Sequence, residues 1–280
     1  MAKAHVLVVP MPCQGHVTPL MELSHRLVDH GLEVTFVNTE VDHAMVVAAL
    51  RASGGEAALC GGIRLASIPD GLAGDEDRKD IVKLVDAYTR HMPGHLECLI
   101  AELEAAGRPR VKCLVGDVNM GWSFEVARKF GIRVVSFWPA ATACFAFMLK
   151  IPELIEDGLI DDKAEGPGAP RRGVLRVALR VESTMEGVRN GVPFLCWPYF
   201  ADQFLDRNYI TDVWRTGLAV SPGAGGVVTR EELRSKVERV AGDGEIRERA
   251  RLFRDAARRG VGEGGASYEN FRKFVDLLRE

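Results

Sequence analysis

No histidine occurs after position 95 of this 280-residue chain, no two cysteines stand at CxxC spacing, and no apolar run approaches membrane length. Each absence excludes something. A helix that crosses a bilayer needs ~20 consecutive apolar residues, so no integral membrane segment is expected. The apolar run after Met1 stops at Pro12 and leads into Gln14 and His16, too short and too polar for a secretory signal. Cys13, Cys60, Cys98, Cys113, Cys144 and Cys196 lack zinc-ligand and redox-pair spacing, and several sit within apolar stretches. They read as free thiols in a reduced, cytoplasmic compartment. The chain also lacks the basic excess of a general nucleic-acid binder, since its net charge is −3.

Apolar residues are plentiful. They make up 47% of the chain, enough to pack one large domain or two of ordinary size. Charge is uneven: residues 1–163 carry a net −6 and residues 164–280 a net +3. The second half would suit an anionic diphosphate, or its excess simply belongs to exposed helix faces.

Along the first half, strand and helix signals alternate. Val6–Pro10, Glu33–Val37, Ile63–Ile68, Cys113–Val115 and Val134–Phe137 read as strands. Pro19–His30, with Leu20, Leu23 and Leu27 at helical spacing, reads as a helix ended by Gly31; Asp42–Leu50, residues 79–106 (one helix or two) and Trp122–Phe130 follow. This order predicts an α/β fold with a parallel sheet covered on both faces, and ligands at the carboxyl ends of its strands. The segment KAEGPGAPRRGV at 163–174 breaks the rhythm and reads as a linker. Beyond it, Leu175–Leu179 is a possible edge strand, a helix begins at Ser183, and Phe194–Trp197 and Leu218–Val220 read as strands. Helices are predicted over Gln203–Trp214, 230–241, 244–259 and 267–279. Too few strands remain there for a full doubly wound domain.

Two residues stand where chemistry is expected. Pro12-Cys13-Gln14-Gly15-His16-Val17-Thr18-Pro19 lies between a strand and a helix, with Pro19 suited to a first helical position. It would present His16, in a loop at a strand end, as a general base for a hydroxyl, or place it as a capping or core histidine. Asp117 follows the Val111–Val115 run. It could orient an imidazole as a triad carboxylate does, or serve as a turn or N-cap aspartate.

Residues 5–42 (HVLVVPMPCQGHVTPLMELSHRLVDHGLEVTFVNTEVD), Asp117 with Trp122, Glu125, Val126 and Ala127, and residues 183–210 (STMEGVRNGVPFLCWPYFADQFLDRNYI) together resemble plant family-1 UDP-glycosyltransferases. The last stretch is similar to the end of that family's secondary-product glycosyltransferase box. The resemblance implies a GT-B-like fold of two Rossmann-like domains, the second incomplete here. It implies an acceptor-binding domain over 1–162, a linker at 163–174, a truncated UDP-sugar-binding domain over 175–265 and a terminal helix over 266–280. By the same resemblance His16 is the catalytic base and Asp117 its orienting carboxylate. Ser183 lies near the donor's diphosphate, Glu186 on the ribose, and Asp202 and Gln203 on the sugar, with glucose favoured by Gln203. The reaction would invert the anomeric carbon, with a UDP-sugar as co-substrate, no cofactor and no metal. The partners would be that donor and a small lipophilic acceptor, bound by a monomer without nucleic acid.

Departures from the family are equally specific. VALRVE (177–182) precedes Ser183 where the family carries its His-Cys-Gly-Trp-Asn segment, and no tryptophan stands where one stacks on uracil. Pro139 follows Trp138 where many relatives have a sugar-contacting Thr. Little or no transfer by this shortened chain is therefore a second expectation. Asp75-Glu76-Asp77 spells DxD but sits in a polar run that reads as a solvated loop, and Gly223-Ala224-Gly225-Gly226 reads as a plain loop. The arginine pairs at 171–172 and 258–259 read as solvated faces.

Overall fold

The computed structural model describes residues 3–52, 62–72, 81–158, 181–198, 202–223 and 225–280. They fall into two compact units, Met1–Pro139 with Asn270–Glu280, and Ala140–Glu269. The linker, Leu175–Leu179 and the DxD run lie outside the described residues.

The first unit is a five-stranded parallel sheet in the order β3-β2-β1-β4-β5. Its strands are β1 (His5–Val9), β2 (Glu33–Thr39), β3 (Ile63–Ile68), β4 (Val111–Asp117) and β5 (Arg133–Phe137). Between them run helices α1 (Gln14–Asp29), α2 (Glu40–Ala52), α3 (Ile81–Ala105, one continuous helix) and α4 (Gly121–Lys129). The central strands β1 and β4 are nearly continuous apolar runs because both their faces are covered, as parallel sheets require, while the outer strands β3 and β5 are partly exposed. Val6, Val8, Val34, Phe36, Cys113 and Val115 pack under α1 through Leu20 and Leu27. Leu7, Val9, Val37 and Leu114 pack against Leu96 and Ile100 of α3 and Val126 of α4. Burial pushes the Cys113 thiol up to about 11, so it behaves as a small apolar side chain.

Two boundaries depart from the sequence reading. Helix α1 opens at Gln14 rather than Pro19, with Cys13 as its N-cap, so His16 stands in the first helical turn and not in a loop. Pro19 is tolerated inside the helix at the loss of one hydrogen bond. The first unit also ends at Pro139 rather than 162 and takes back residues 270–280. The cause is helix α10 (Ala266–Arg279, counting α5 to α9 below), whose Phe271, Phe274, Val275 and Leu278 recur at helical spacing. They join the α1 face of the core, where Val275 and Leu278 are buried. Arg133 donates to the Leu277 carbonyl at 2.8 Å and Arg279 to that of His30 at 2.7 Å.

The second unit contains α5 (Thr142–Glu156), α6 (Val181–Asn190), β6 (Phe194–Cys196), α7 (Gln203–Asn208), β7 (Gly217–Ala219), α8 (Arg230–Gly242) and α9 (Gly244–Val261). Helix α7 passes into a single wide turn, Tyr209–Val213, in which Trp214 N–H donates to Tyr209 C=O at 2.7 Å. Strands β6 and β7 pair in parallel and are the only strands of this unit among the described residues. Gly217 is required there, since a Cβ would stand 2.3 Å from the Phe194 carbonyl oxygen.

Candidate active site

The order of the sheet creates the site. After β1 the chain builds β2 and β3 on one side, then returns to lay β4 on the other side of β1. Such a reversal leaves a crevice at the carboxyl ends of the two diverging strands, the usual ligand position of open α/β sheets. Those ends are Val9, leading into α1, and Asp117, the last residue of β4.

His16 and Asp117 meet there. The His16 ring, projected from the first turn of α1, donates from Nδ1 to Asp117 Oδ2 at 2.6 Å across 101 residues of sequence. The carboxylate is fully buried while a quarter of the imidazole remains exposed. Its other oxygen is also occupied: Oδ1 accepts from Asn119 N–H at 2.9 Å and from Asn119 Nδ2 at 3.0 Å. Asp117 thus caps the short turn Val118–Met120 and orients the imidazole at once. A buried carboxylate with these three donors is satisfied rather than stranded. Because the carboxylate accepts, Nδ1 carries the proton and Nε2 keeps the lone pair.

The frame beneath Asp117 is tight. A Cβ on Gly116 would lie 2.5 Å from the Phe124 ring, so glycine lets α4 close on the strand end. The Ser123 hydroxyl donates to the Met120 carbonyl at 2.7 Å. Near His16, burial first and then the charges of Asp42 and Asp117 hold the Cys13 thiol protonated. That argues against a thiolate nucleophile. Sequence reasoning missed Asn119; its signal was the spacing of two residues from Asp117, typical of an Asx-turn.

The four donor-side candidates all belong to the second unit. Ser183 lies in α6. Glu186, on the same helix, is exposed, and its carbonyl accepts from Asn190 Nδ2 at 2.9 Å. Asp202 is half-buried just before α7, with Oδ2 buried and unpartnered among the described residues, and Gln203 opens that helix. Sequence reasoning also passed over Thr184 and Asp206. The Thr184 hydroxyl donates to Asp206 Oδ2 at 3.5 Å, and Asp206 N–H donates to the Asp202 carbonyl at 2.9 Å. Burial, and then the neighbouring Asp202 charge, push the Asp206 carboxyl up to about 6.

Comparison with known proteins agrees with this architecture. Residues 2–154 match the family model described as glycosyltransferase, N-terminal domain, and the chain belongs to that family. UDP-glycosyltransferase 83A1 of Arabidopsis thaliana is 27% identical over 452 residues, covering 100% of this chain and 97% of the relative. An alignment of that length around 280 residues requires a large internal gap. Linamarin synthase 1 of Manihot esculenta is 34% identical over 166 residues, 58% of this chain but only 34% of its own length. Among solved structures, Os79 from O. sativa in complex with UDP superposes with a TM-score of 0.77 at 18% identity, covering 98% of this chain and 100% of that one. UGT89C1 of Arabidopsis thaliana complexed with UDP-L-rhamnose gives 0.73 at 19%, covering all of both chains. The fold is the GT-B fold of plant UDP-glycosyltransferases. Among the described residues no helix is long and apolar enough to cross a membrane.

Proposed function

We propose that this chain carries the machinery of UDP-sugar glycosyl transfer, moving a hexose, glucose by preference, onto a hydroxyl or carboxyl of a small lipophilic acceptor. The observation behind this reading is the 2.6 Å contact from His16 Nδ1 to the buried Asp117 carboxylate, which reserves Nε2 for an acceptor proton. As the acceptor oxygen forms its bond to the anomeric carbon, its proton passes to Nε2. The bond from that carbon to the diphosphate breaks, and UDP leaves with the electron pair from the opposite face, inverting the centre. Asp117 stabilises the imidazolium without taking the proton. Ser183 would serve the diphosphate, Glu186 the ribose, and Asp202 and Gln203 the hexose hydroxyls, for which carboxylate and amide groups are suited. No metal or cofactor enters this scheme. We assign the chain to the cytoplasm as a monomer.

A second reading is an acceptor-binding chain without turnover. Two observations favour it: no histidine follows position 95, and the second unit holds only β6 and β7 among the described residues. Each absent hydrogen bond to a charged group is worth ~1.5–3 kcal/mol, and ~1.4 kcal/mol is tenfold in affinity. One experiment separates the readings. UDP is titrated calorimetrically into the purified chain, beside a radiolabelled transfer assay from UDP-glucose to phenolic acceptors. Micromolar UDP binding with turnover supports the transferase. Acceptor binding without either supports the second reading.

A further inference from the structure

The second unit holds a cavity of about 560 Å³ that the transfer scheme does not use. It lies at the amino-terminal start of β6, whereas Asp202 and Gln203 follow that strand's carboxyl end. Its floor is apolar: Val192 and Pro193 just before β6 and Leu195 within it, with Val237 and Val240 from α8. Val192 and Val237 are about half exposed, so the depression is open to solvent. The remaining wall is α9, which contributes Arg247, Arg251 and Arg254. Their spacing of four and three places all three on one face of the helix. No carboxylate lines the cavity.

The three guanidinium groups are engaged differently. Arg254 pairs with Asp255 at 2.8 Å, and its stem crosses Gly191 so closely that a Cβ there would lie 3.2 Å from it. Arg247 reaches the Ala241 carbonyl. Arg251, between them, is exposed and has no hydrogen-bond or carboxylate partner among the described residues. An unengaged guanidinium fork beside an apolar floor matches one ligand chemistry. The fork takes the two oxygens of a carboxylate or phosphate, and the floor takes an apolar body. The volume lies within the ~300–1,000 Å³ range of small-molecule sites.

We propose that this cavity binds a small amphipathic anion, its acidic head on Arg251 and Arg247 and its apolar body against Val192, Leu195 and Val237. The proposal does not depend on the transferase reading. The test is calorimetric titration of the full chain, without UDP-sugar, using 2-naphthoate, 2-naphthyl phosphate and the neutral 2-naphthol. Arg251→Gln should weaken both anions by about tenfold or more while leaving 2-naphthol unchanged. Val237→Asp, at a half-exposed position, should abolish anion binding. His16→Ala, in the other unit, should leave it intact, and thermal melts verify that each variant folds. Which anion binds more tightly distinguishes a carboxylate ligand from a phosphate. Equal affinity of wild type and Arg251→Gln, binding unaffected by Val237→Asp, or 2-naphthol binding as tightly as the anions would overturn the proposal.

Discussion

Histidines 5 and 16 lie eleven positions apart and have opposite tasks. His16 is partly exposed and holds one nitrogen free. His5 is fully buried, its Nδ1 donating to the Pro109 carbonyl at 2.9 Å and its Nε2 accepting from the Thr35 hydroxyl at 2.8 Å. If His16 is the general base proposed above, its removal costs ~10²–10⁴-fold in rate. In any turnover this chain shows, His16→Ala should lower kcat/KM by about that much. Asp117→Asn should lose a large part of the same factor, because the amide no longer fixes the tautomer. Kinetics on both variants, with the fold verified by circular dichroism, check this.

His5 bears on stability. Burial above all lowers its pKa from the usual 6.5. The folded state then binds fewer protons than the unfolded one below that pH. The His5 contribution is complete above about pH 6.5 and is lost as pH falls through and below it. Thr35→Val leaves a buried acceptor unpaired and should cost ~1–3 kcal/mol at neutral pH. Denaturant melts at pH 7.5 and pH 5 read both effects. Asp206 has the opposite sign. Its folded pKa, about 6, lies above the usual carboxylate value. The folded state therefore holds the proton more tightly, and stability declines as pH rises from about 4 to 6 and stays reduced above that. Asp206→Asn should raise the Tm at pH 7 and have little effect at pH 4. An equal shift at both values would exclude titration as the cause.

At the scale of elements, α10 makes the clearest statement. Its own turns are rich in charge, and an isolated helix of this length is marginal in water. Its place in the first unit comes from one apolar stripe on the sheet. Leu278, 1% exposed, anchors the end of that stripe, and Leu278→Ala should cost ~2–5 kcal/mol. Guanidinium unfolding monitored at Trp122 and Trp138 of the first unit should register the loss. Strand β4 offers a second case. Local propensity would accept alanine at Gly116, yet the Phe124 ring occupies the space. Periodicity in the sequence located β4 and α4 within a residue or two. It could not show that a ring lies over that glycine.

Across the whole molecule, the two units differ in completeness. Among the described residues the first has five paired strands around a buried centre, and the second pairs only two. The calorimetric UDP titration reads the second unit as a whole, because the side chains proposed for the donor are held in place by its packing. Micromolar UDP binding is the result expected of the transferase; weak or absent binding, with the first unit folding normally in the same preparation, is the result expected of the acceptor-binding chain.

The amino-acid sequence alone determined the alternation of strands and helices, the identity of His16 and Asp117 as the pair to examine, and the family. The alternation follows from short-range periodicity, and the pair and the family from the resemblance carried by residues 5–42, 117–127 and 183–210. Tertiary structure decided the rest. Strand order, not spacing, brings residues 101 positions apart to 2.6 Å. An apolar stripe on α10 finds its partner surface only once the first sheet exists. Thr184 and Asp206, or Arg251 and Val237, become neighbours only when their helices pack. None of these could be read locally, because each depends on which faces the folded chain leaves available to one another.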